Sequence, residues 1–144
     1  MTDKRGKQRK QAAALNEEDY KTLAQFRYLL RQFLSFSEDA ARDAGLAPQQ
    51  HQALLAIKGF GGVLTIGALA ERLAIRHHSA VGLVDRLVEA DLLTRDSDEE
   101  DRRKVALRLT RKAERLLAAL TAAHRDELRR LAPLLKPLLD ALEP

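Results

Sequence analysis

The sequence predicts a mainly α-helical protein with one small β-hairpin, and three observations support this fold class. Of the 144 residues, 45% are hydrophobic and 32% are charged, which is typical of a helix-rich globular chain. Apolar residues recur at helical spacing through most of the sequence. Residues 92–96 and 104–109 instead show alternating patterns, and the charged stretch SDEEDRR joins them.

Residues that start or stop helices set the first boundaries. Asn16, followed by three acidic residues, is expected to cap a first helix that ends at Gly45. A second helix has Pro48 in its first turn and ends at the glycines of residues 59–62. Thr65 is expected to cap a third helix.

Two more helical patterns flank the predicted hairpin. A fourth helix covers about residues 76–90, and a long helix resumes at Thr110 after the hairpin. Pro133 and Pro137 are expected to break or kink this long helix and to leave a final leucine-rich piece. About six helices are therefore expected.

The net charge of +4 comes entirely from the first 14 residues. These residues include five basic side chains and one acidic one, whereas residues 15–144 contain 20 of each sign. Residues 1–14 are expected to be a flexible basic tail, either a solubilising leader or an arm that contacts phosphates. Residues 15–144 are expected to form a single domain, and any DNA surface on it must come from the placement of charges.

Several function classes are excluded by what the sequence lacks. It has no cysteine, which excludes disulfides, thiolate-bound zinc and cysteine catalysis. It has no apolar run of the roughly 18 residues that span a bilayer, and no secretory signal is recognised. We expect a cytoplasmic protein without a membrane partner. No glycine-rich phosphate loop or nucleophile–base pair is present, so neither an enzyme nor a cofactor is expected.

The order of the elements predicts a winged helix-turn-helix. Two short amphipathic helices alone are weak evidence, because any helical bundle contains them. A lone hairpin with a charged tip directly after them is more specific. In a winged helix-turn-helix the second helix enters the major groove of DNA and the hairpin reaches the backbone or the minor groove.

The candidate DNA-binding residues lie on the fourth helix and at the hairpin tip. Arginine can bind guanine, and histidine or serine can contact base edges and phosphates. At the tip, one arginine can enter the minor groove while an aspartate orients its guanidinium. The alternative for the tip is a solvated turn whose ion pairs contribute about 0–1 kcal/mol each. The candidates are Arg76, His77, His78, Ser79 and Arg86 on the helix, and Asp101, Arg102 and Arg103 in the hairpin.

The adjacent histidines also raise the question of a metal site. Neighbouring positions on a helix point about 100° apart, and no cysteine or third histidine lies near His77 and His78 in sequence. We therefore predict no metal site.

The motifs LVDRLVEADLLTR (residues 83–95) and DRRKVALRLT (residues 101–110) resemble those of the multiple-antibiotic-resistance regulator (MarR) family of bacterial transcription factors. The resemblance covers roughly residues 18–142. It implies that Asp101 and Arg103 form the wing pair, with Arg103 in the minor groove. Arg76 to Ser79 and Arg86 would then belong to the helix that reads DNA.

The resemblance also implies an obligate homodimer. Residues 48–110 would form the DNA-binding lobe, and residues 15–45 and 111–144 the dimerisation helices. A small aromatic or anionic ligand would bind between the dimerisation helices and that lobe. Tyr28, Phe36 and His51 are candidates for the ligand pocket, and ordinary core packing is the alternative for them.

The chain departs from the family pattern at four positions. Asp91 and Ala113 stand where the family usually has glycine, so Asp91 must adopt or avoid a left-handed backbone. Arg76 replaces a capping serine, and Val81 replaces a hydroxyl residue. These departures affect the expected operator sequence more than the expected fold.

Together these observations predict a sequence-specific DNA-binding transcriptional regulator, a homodimeric repressor of a pseudo-palindromic operator that a small ligand can release. The alternative is a helical protein-interaction or dimerisation module without sequence-specific DNA binding.

Overall fold

The structure is a computed structural model that describes residues 14–97 and 105–143. These residues form five helices and one antiparallel two-stranded sheet, which confirms the predicted mainly helical fold with a hairpin. None of the helices in the described residues is long and apolar enough to cross a membrane. The elements are α1 (Glu17–Asp43), α2 (Pro48–Gly59), α3 (Ile66–Leu73), α4 (His77–Glu89), β1 (Leu93–Ser97), β2 (Val105–Leu109) and α5 (Arg111–Asp140).

The described residues form two compact units. One unit contains the chain up to Ser35 together with the chain from Glu127 onward, and Leu29 and Leu131 are buried in it. The other unit, Phe36–Asp126, contains α2, α3, α4, the hairpin and the first half of α5.

The core of the second unit forms where the predicted helix-turn-helix meets the hairpin. The apolar face predicted for α4 is buried at Ala80, Leu83, Val84 and Leu87. In the sheet, Leu93 pairs with Leu109 and Ser97 pairs with Val105. The largest fully buried side chains of this unit are those of Leu54, Leu64, Leu69, Leu83, Val84, Leu87 and Leu93.

The predicted helix starts are confirmed by their hydrogen bonds. Asn16 Oδ1 accepts from the Asp19 N–H at 3.0 Å, and Asp19 Oδ2 accepts from the Asn16 N–H at 2.9 Å. Pro48 is in the first turn of α2. Thr65 Oγ1 accepts from the Ala68 N–H at 3.2 Å and so caps α3. Each bond satisfies a backbone N–H that the helix itself leaves without an acceptor.

Three helices end in Schellman motifs, in which one residue adopts a left-handed backbone just after the helix. Gly45 ends α1 with φ 82°, Ala74 ends α3 with φ 53° and Asp91 ends α4 with φ 59°. In α4 the Leu92 N–H donates to the Leu87 carbonyl at 2.9 Å, and the Asp91 N–H donates to the Val88 carbonyl at 3.1 Å. Asp91 therefore adopts the left-handed conformation although it has a Cβ.

Of the two outcomes predicted at Pro133 and Pro137, a break or a kink in the last helix, the break is wrong. Helix α5 runs from Arg111 to Asp140 without interruption, so the described residues contain five helices rather than about six. The two prolines are four residues apart, and both missing N–H groups therefore lie on the same strip of the helix. The other strips keep their hydrogen bonds, which is enough for the helix to continue.

We expect Ala74→Gly to raise the free energy of unfolding by about 0.5–1 kcal/mol. A left-handed backbone costs an L-residue roughly 1–2 kcal/mol, and the greater flexibility of unfolded glycine offsets part of this gain. Urea unfolding followed by circular dichroism measures the change. As a control, Ala119→Gly inside α5 should lower stability by about 1 kcal/mol, because glycine disfavours right-handed helix. A loss at both positions would contradict the strain assigned to Ala74.

Candidate nucleic-acid interface

Helix α4, the predicted recognition helix, presents a polar face to solvent because its apolar face is buried. A period of 3.6 residues places the polar positions on the side opposite Leu83 and Leu87. The exposed side chains on this face are those of His77, His78, Ser79, Asp85, Arg86 and Glu89, and Arg76 directly before the helix is also exposed.

The first turn of α4 has no side-chain cap. Arg76 occupies the N-cap position with φ −70° and ψ 152°, and no side-chain hydrogen bond is made there. The N–H groups of the first turn are therefore left for solvent or for an incoming anion. A helix N-terminus also carries a partial positive charge, which favours a phosphate at this end.

Arg86 lies back along α4 over Gly82. A Cβ built at Gly82 would be 3.5 Å from Arg86 Nη1, so the guanidinium covers the backbone where a side chain is missing. The two positions are one helical turn apart, with Gly82 nearer the start of the helix. The guanidinium of Arg86 is thereby directed toward the exposed first turn.

Two exposed ion pairs involve the strands of the hairpin. Asp85 on α4 pairs with Arg95 on β1, and Asp96 on β1 pairs with Arg108 on β2 through a 2.7 Å contact between Oδ2 and Nε. The first pair joins the exposed face of the helix to the hairpin, and the second links its two strands. Both pairs are largely exposed, so each contributes about 0–1 kcal/mol to stability and acts mainly on orientation.

The three candidates predicted for the hairpin tip, Asp101, Arg102 and Arg103, lie outside the described residues. Their predicted roles therefore stay predictions. The described strands β1 and β2 end next to this segment, at Ser97 and Val105.

Two of the three predicted pocket residues meet at His124. The ring of His51 lies 4.9 Å from that of His124, and the ring of Phe36 lies 5.3 Å from it in an edge-on arrangement. His124 Nδ1 contacts the Leu120 carbonyl at 2.6 Å, and its Nε2 contacts Ser37 Oγ at 2.7 Å. A carbonyl can only accept, so Nδ1 of His124 carries a proton.

The third predicted pocket residue, Tyr28, belongs to the other unit. Its side chain is 56% exposed, and its hydroxyl oxygen accepts from Gln32 Nε2 at 2.8 Å. Whether Tyr28, Phe36 and His51 contact a ligand stays a prediction.

A groove between α2 and the first half of α5 lies elsewhere in the second unit. It has a volume of about 340 Å³, and its walls include the apolar side chains of Leu55 and Leu117. Lys58 and Glu114 form a 3.0 Å ion pair at one side, and Arg125 also lines the groove. None of the three predicted pocket residues lines it.

The described residues contain no group of three or more histidine, cysteine, aspartate or glutamate side chains that could hold a metal ion.

Sequence reasoning placed Asp85 and Arg95 on their elements but did not pair them. The pairing depends on how the helix crosses the strand, and spacing within either element does not encode that angle. Sequence reasoning also gave Gly82 no role. A glycine four residues before an arginine on an exposed helix face was the signal that could have found it.

Residues 44–104 match the model of the MarR family. Over 76 residues the chain is 33% identical to an uncharacterised HTH-type transcriptional regulator, YfiV, of Bacillus subtilis (strain 168). This match covers 53% of the chain and 48% of that relative, so the chain spans about half the length of the curated relative it matches.

Two solved structures are also similar. A MarR family protein from Bacillus stearothermophilus superposes with a TM-score of 0.71 at 27% identity, over 82% of this chain and 83% of that one. A mutant MepR from S. aureus, bound to an oligodeoxyribonucleotide, superposes with a TM-score of 0.66 at 19% identity, over 86% of this chain and 98% of that one. Because the identity to MepR is only 19%, this second similarity shows a shared fold and nothing more.

The buried His51 predicts a loss of stability in mild acid. Burial, and secondarily the charge of His124, lower the pKa of His51 below its usual 6.5. The unfolded chain therefore takes up this proton more readily, so the free energy of unfolding should fall as the pH drops from about 6.5 toward the folded pKa. Unfolding in urea between about pH 7.5 and pH 5 measures this slope.

The non-titrating variant His51→Phe should show a smaller slope over the same range. If its slope equals that of the wild type, proton uptake at His51 does not cause the loss.

Proposed function

We propose that this chain, whose residues 44–104 match the MarR family model, is a regulator of that family: a homodimeric repressor that binds a pseudo-palindromic DNA operator. The observation that carries the proposal is the face of α4 on which Arg86, the histidines and an uncapped helix start converge beside the hairpin. The match to the family model also favours a regulator over an enzyme.

The exposed face of α4 has the chemistry that base reading in the major groove requires. Arg86 can donate two parallel hydrogen bonds to guanine O6 and N7, and Gly82 leaves room for its guanidinium to reach the first turn. His77, His78 and Ser79 can bind base edges or phosphates. A phosphate at the uncapped start of α4 would accept hydrogen bonds from the first-turn N–H groups and fix the register of the helix.

The hairpin would contact DNA beside α4. Its base is joined to the helix through Asp85 and Arg95, so the two elements would dock together. In the proposal Arg103 enters the minor groove, where the negative potential is strongest, while Asp101 orients a guanidinium and Arg102 binds the backbone.

The first unit offers the apolar surface that a dimer needs. Leucines of α1 and α5 are exposed there, and an apolar pocket of about 190 Å³ lies among six residues of this unit. Exposed apolar patches of this kind mark interaction sites, and a second copy would cover them. Two copies would place their recognition helices about 34 Å apart, one turn of DNA. The pocket is lined by Thr22, Leu23, Phe26, Leu138, Leu139 and Leu142.

Release by a small ligand is part of the same proposal. The groove between α2 and α5 has the volume of a small organic molecule, and Arg125 favours an anionic one, since the charge of Lys58 is compensated by Glu114. A ligand that binds the released form more tightly than the DNA-bound form would shift the equilibrium toward release.

The test is selection of a preferred duplex from a random pool, followed by affinity measurements at several salt concentrations. We expect Arg86→Ala to weaken binding of the selected duplex about ten- to hundredfold, because a guanine contact contributes about 1–3 kcal/mol. Arg103→Ala should also weaken binding and should lower the salt dependence. Fluorescence anisotropy of labelled duplexes measures both effects.

Arg42→Ala provides the matched control. Arg42 is an exposed arginine on α1 that pairs with Asp39, and the proposal gives it no role in DNA binding. Equal losses in all three variants would contradict the proposed interface. A wild-type dimer that enriches no duplex would instead support the protein-interaction module.

A further inference from the structure

The segment between the recognition helix and β1 has three successive carbonyl groups, those of Ala90, Asp91 and Leu92, that lie beyond the helical hydrogen bonds of α4. After the Schellman turn at Asp91 the chain leaves the helical path, so no later turn of α4 can donate to these carbonyls.

The start of α5 satisfies all three carbonyls. Thr110 Oγ1 donates to the Asp91 carbonyl at 2.7 Å, and the Thr110 N–H donates to the Leu92 carbonyl at 3.1 Å. Lys112 Nζ donates to the Ala90 carbonyl at 3.1 Å. Two residues of one helix start thus hold the end of the recognition helix.

The Thr110 hydroxyl accepts one hydrogen bond and donates another. It accepts a hydrogen bond from the Ala113 N–H at 3.2 Å, which caps α5. Its single proton is donated to the Asp91 carbonyl. The same oxygen therefore starts α5 and fixes the neighbouring helix end, and a suitable side chain can separate the two roles.

The direction of α4 matters because a small tilt has a large effect at its far end. A helix of 13 residues is about 19 Å long. A tilt of about 10° at its C-terminal end moves the first turn by about 3.4 Å, which equals the rise of one base pair. Burial of Leu83 and Leu87 holds the helix to the core, but hydrophobic contact is non-directional. The hydrogen bonds from α5 supply a directional restraint.

We propose that Thr110, assisted by Lys112, is a positioning residue that fixes the direction of the recognition helix relative to α5 and so sets the half-site spacing that the dimer accepts. This inference rests on the proposed function, in which α5 contributes to the dimer. It assigns a specificity role to residues that do not contact DNA.

The test compares affinity for the selected duplex with affinity for duplexes in which the half-site spacing is one base pair longer or shorter. Thr110→Asp keeps an acceptor for the Ala113 N–H but has no proton for the Asp91 carbonyl. We expect the preference for the native spacing to fall about three- to tenfold, the effect of one hydrogen bond on an equilibrium. The added negative charge weakens binding to every duplex and cancels in this ratio.

Two variants serve as controls. Thr110→Ser keeps both roles of the hydroxyl and should retain the wild-type preference. Thr65 caps α3 through a bond of the same length, 3.2 Å, so Thr65→Asp introduces the same change at a comparable helix start and should also retain it. A variant that is merely less stable would not change the ratio of its affinities for duplexes of different half-site spacing.

The outcomes separate this inference from the proposed function. Wild-type protein that binds no duplex overturns both. Specific wild-type binding with an unchanged spacing preference in Thr110→Asp overturns the inference alone, as does wild-type protein that binds all spacings equally. If Thr110→Asp does not fold, as judged by circular dichroism, Lys112→Met takes its place, and an unchanged preference there overturns the inference.

Discussion

Burial of one face of α4 is the constraint on which the site depends. Leu83 and Leu87 are almost fully buried, and together they hold the helix against the core that also contains the base of the hairpin. Because side chains repeat every 3.6 residues, this burial decides which side chains face solvent. The polar face of α4 is therefore set by leucines that contact nothing outside the protein. A lost methylene in this core would disturb the exposed face as well as stability.

Backbone hydrogen bonds determine where each helix ends, which the apolar core does not. The core holds the helices together, but the ends of the helices determine where the chain turns. Ala74 and Asp91 end α3 and α4 in left-handed conformations, so both helices of the helix-turn-helix stop at residues that bear a Cβ. Glycine would adopt these turns with less strain. The hydrogen bonds that follow each turn compensate for the backbone strain at Ala74 and Asp91.

The sequence was sufficient to predict elements that depend on local chemistry. Asn16, Thr65 and Pro48 mark helix starts because capping and the φ angle of proline act within one turn. Gly45 marks a helix end for a similar reason. Pro133 and Pro137 show the limit of this reasoning, because a proline removes one hydrogen bond but does not by itself decide whether the surrounding helix continues.

Contacts between elements were beyond the reach of sequence reasoning. The pair Asp85–Arg95 and the meeting of His51 with His124 depend on how helices and strands cross, which one sequence does not specify. The candidate DNA-binding residues of α4 were predicted because they share a helix face, and those of the hairpin because a charged tip follows the helix pair; both sets stay predictions.

The start of α4 has a consequence for kinetics as well as for affinity. Since no side chain closes this end at Arg76, the opening turn is the easiest part of the helix to fray. An anion that docks there completes the turn, so part of its binding free energy is consumed in ordering backbone. In the proposed complex with DNA, such a contact to a phosphate would form and break in the same way on every base sequence, which would let the protein leave non-specific sites quickly.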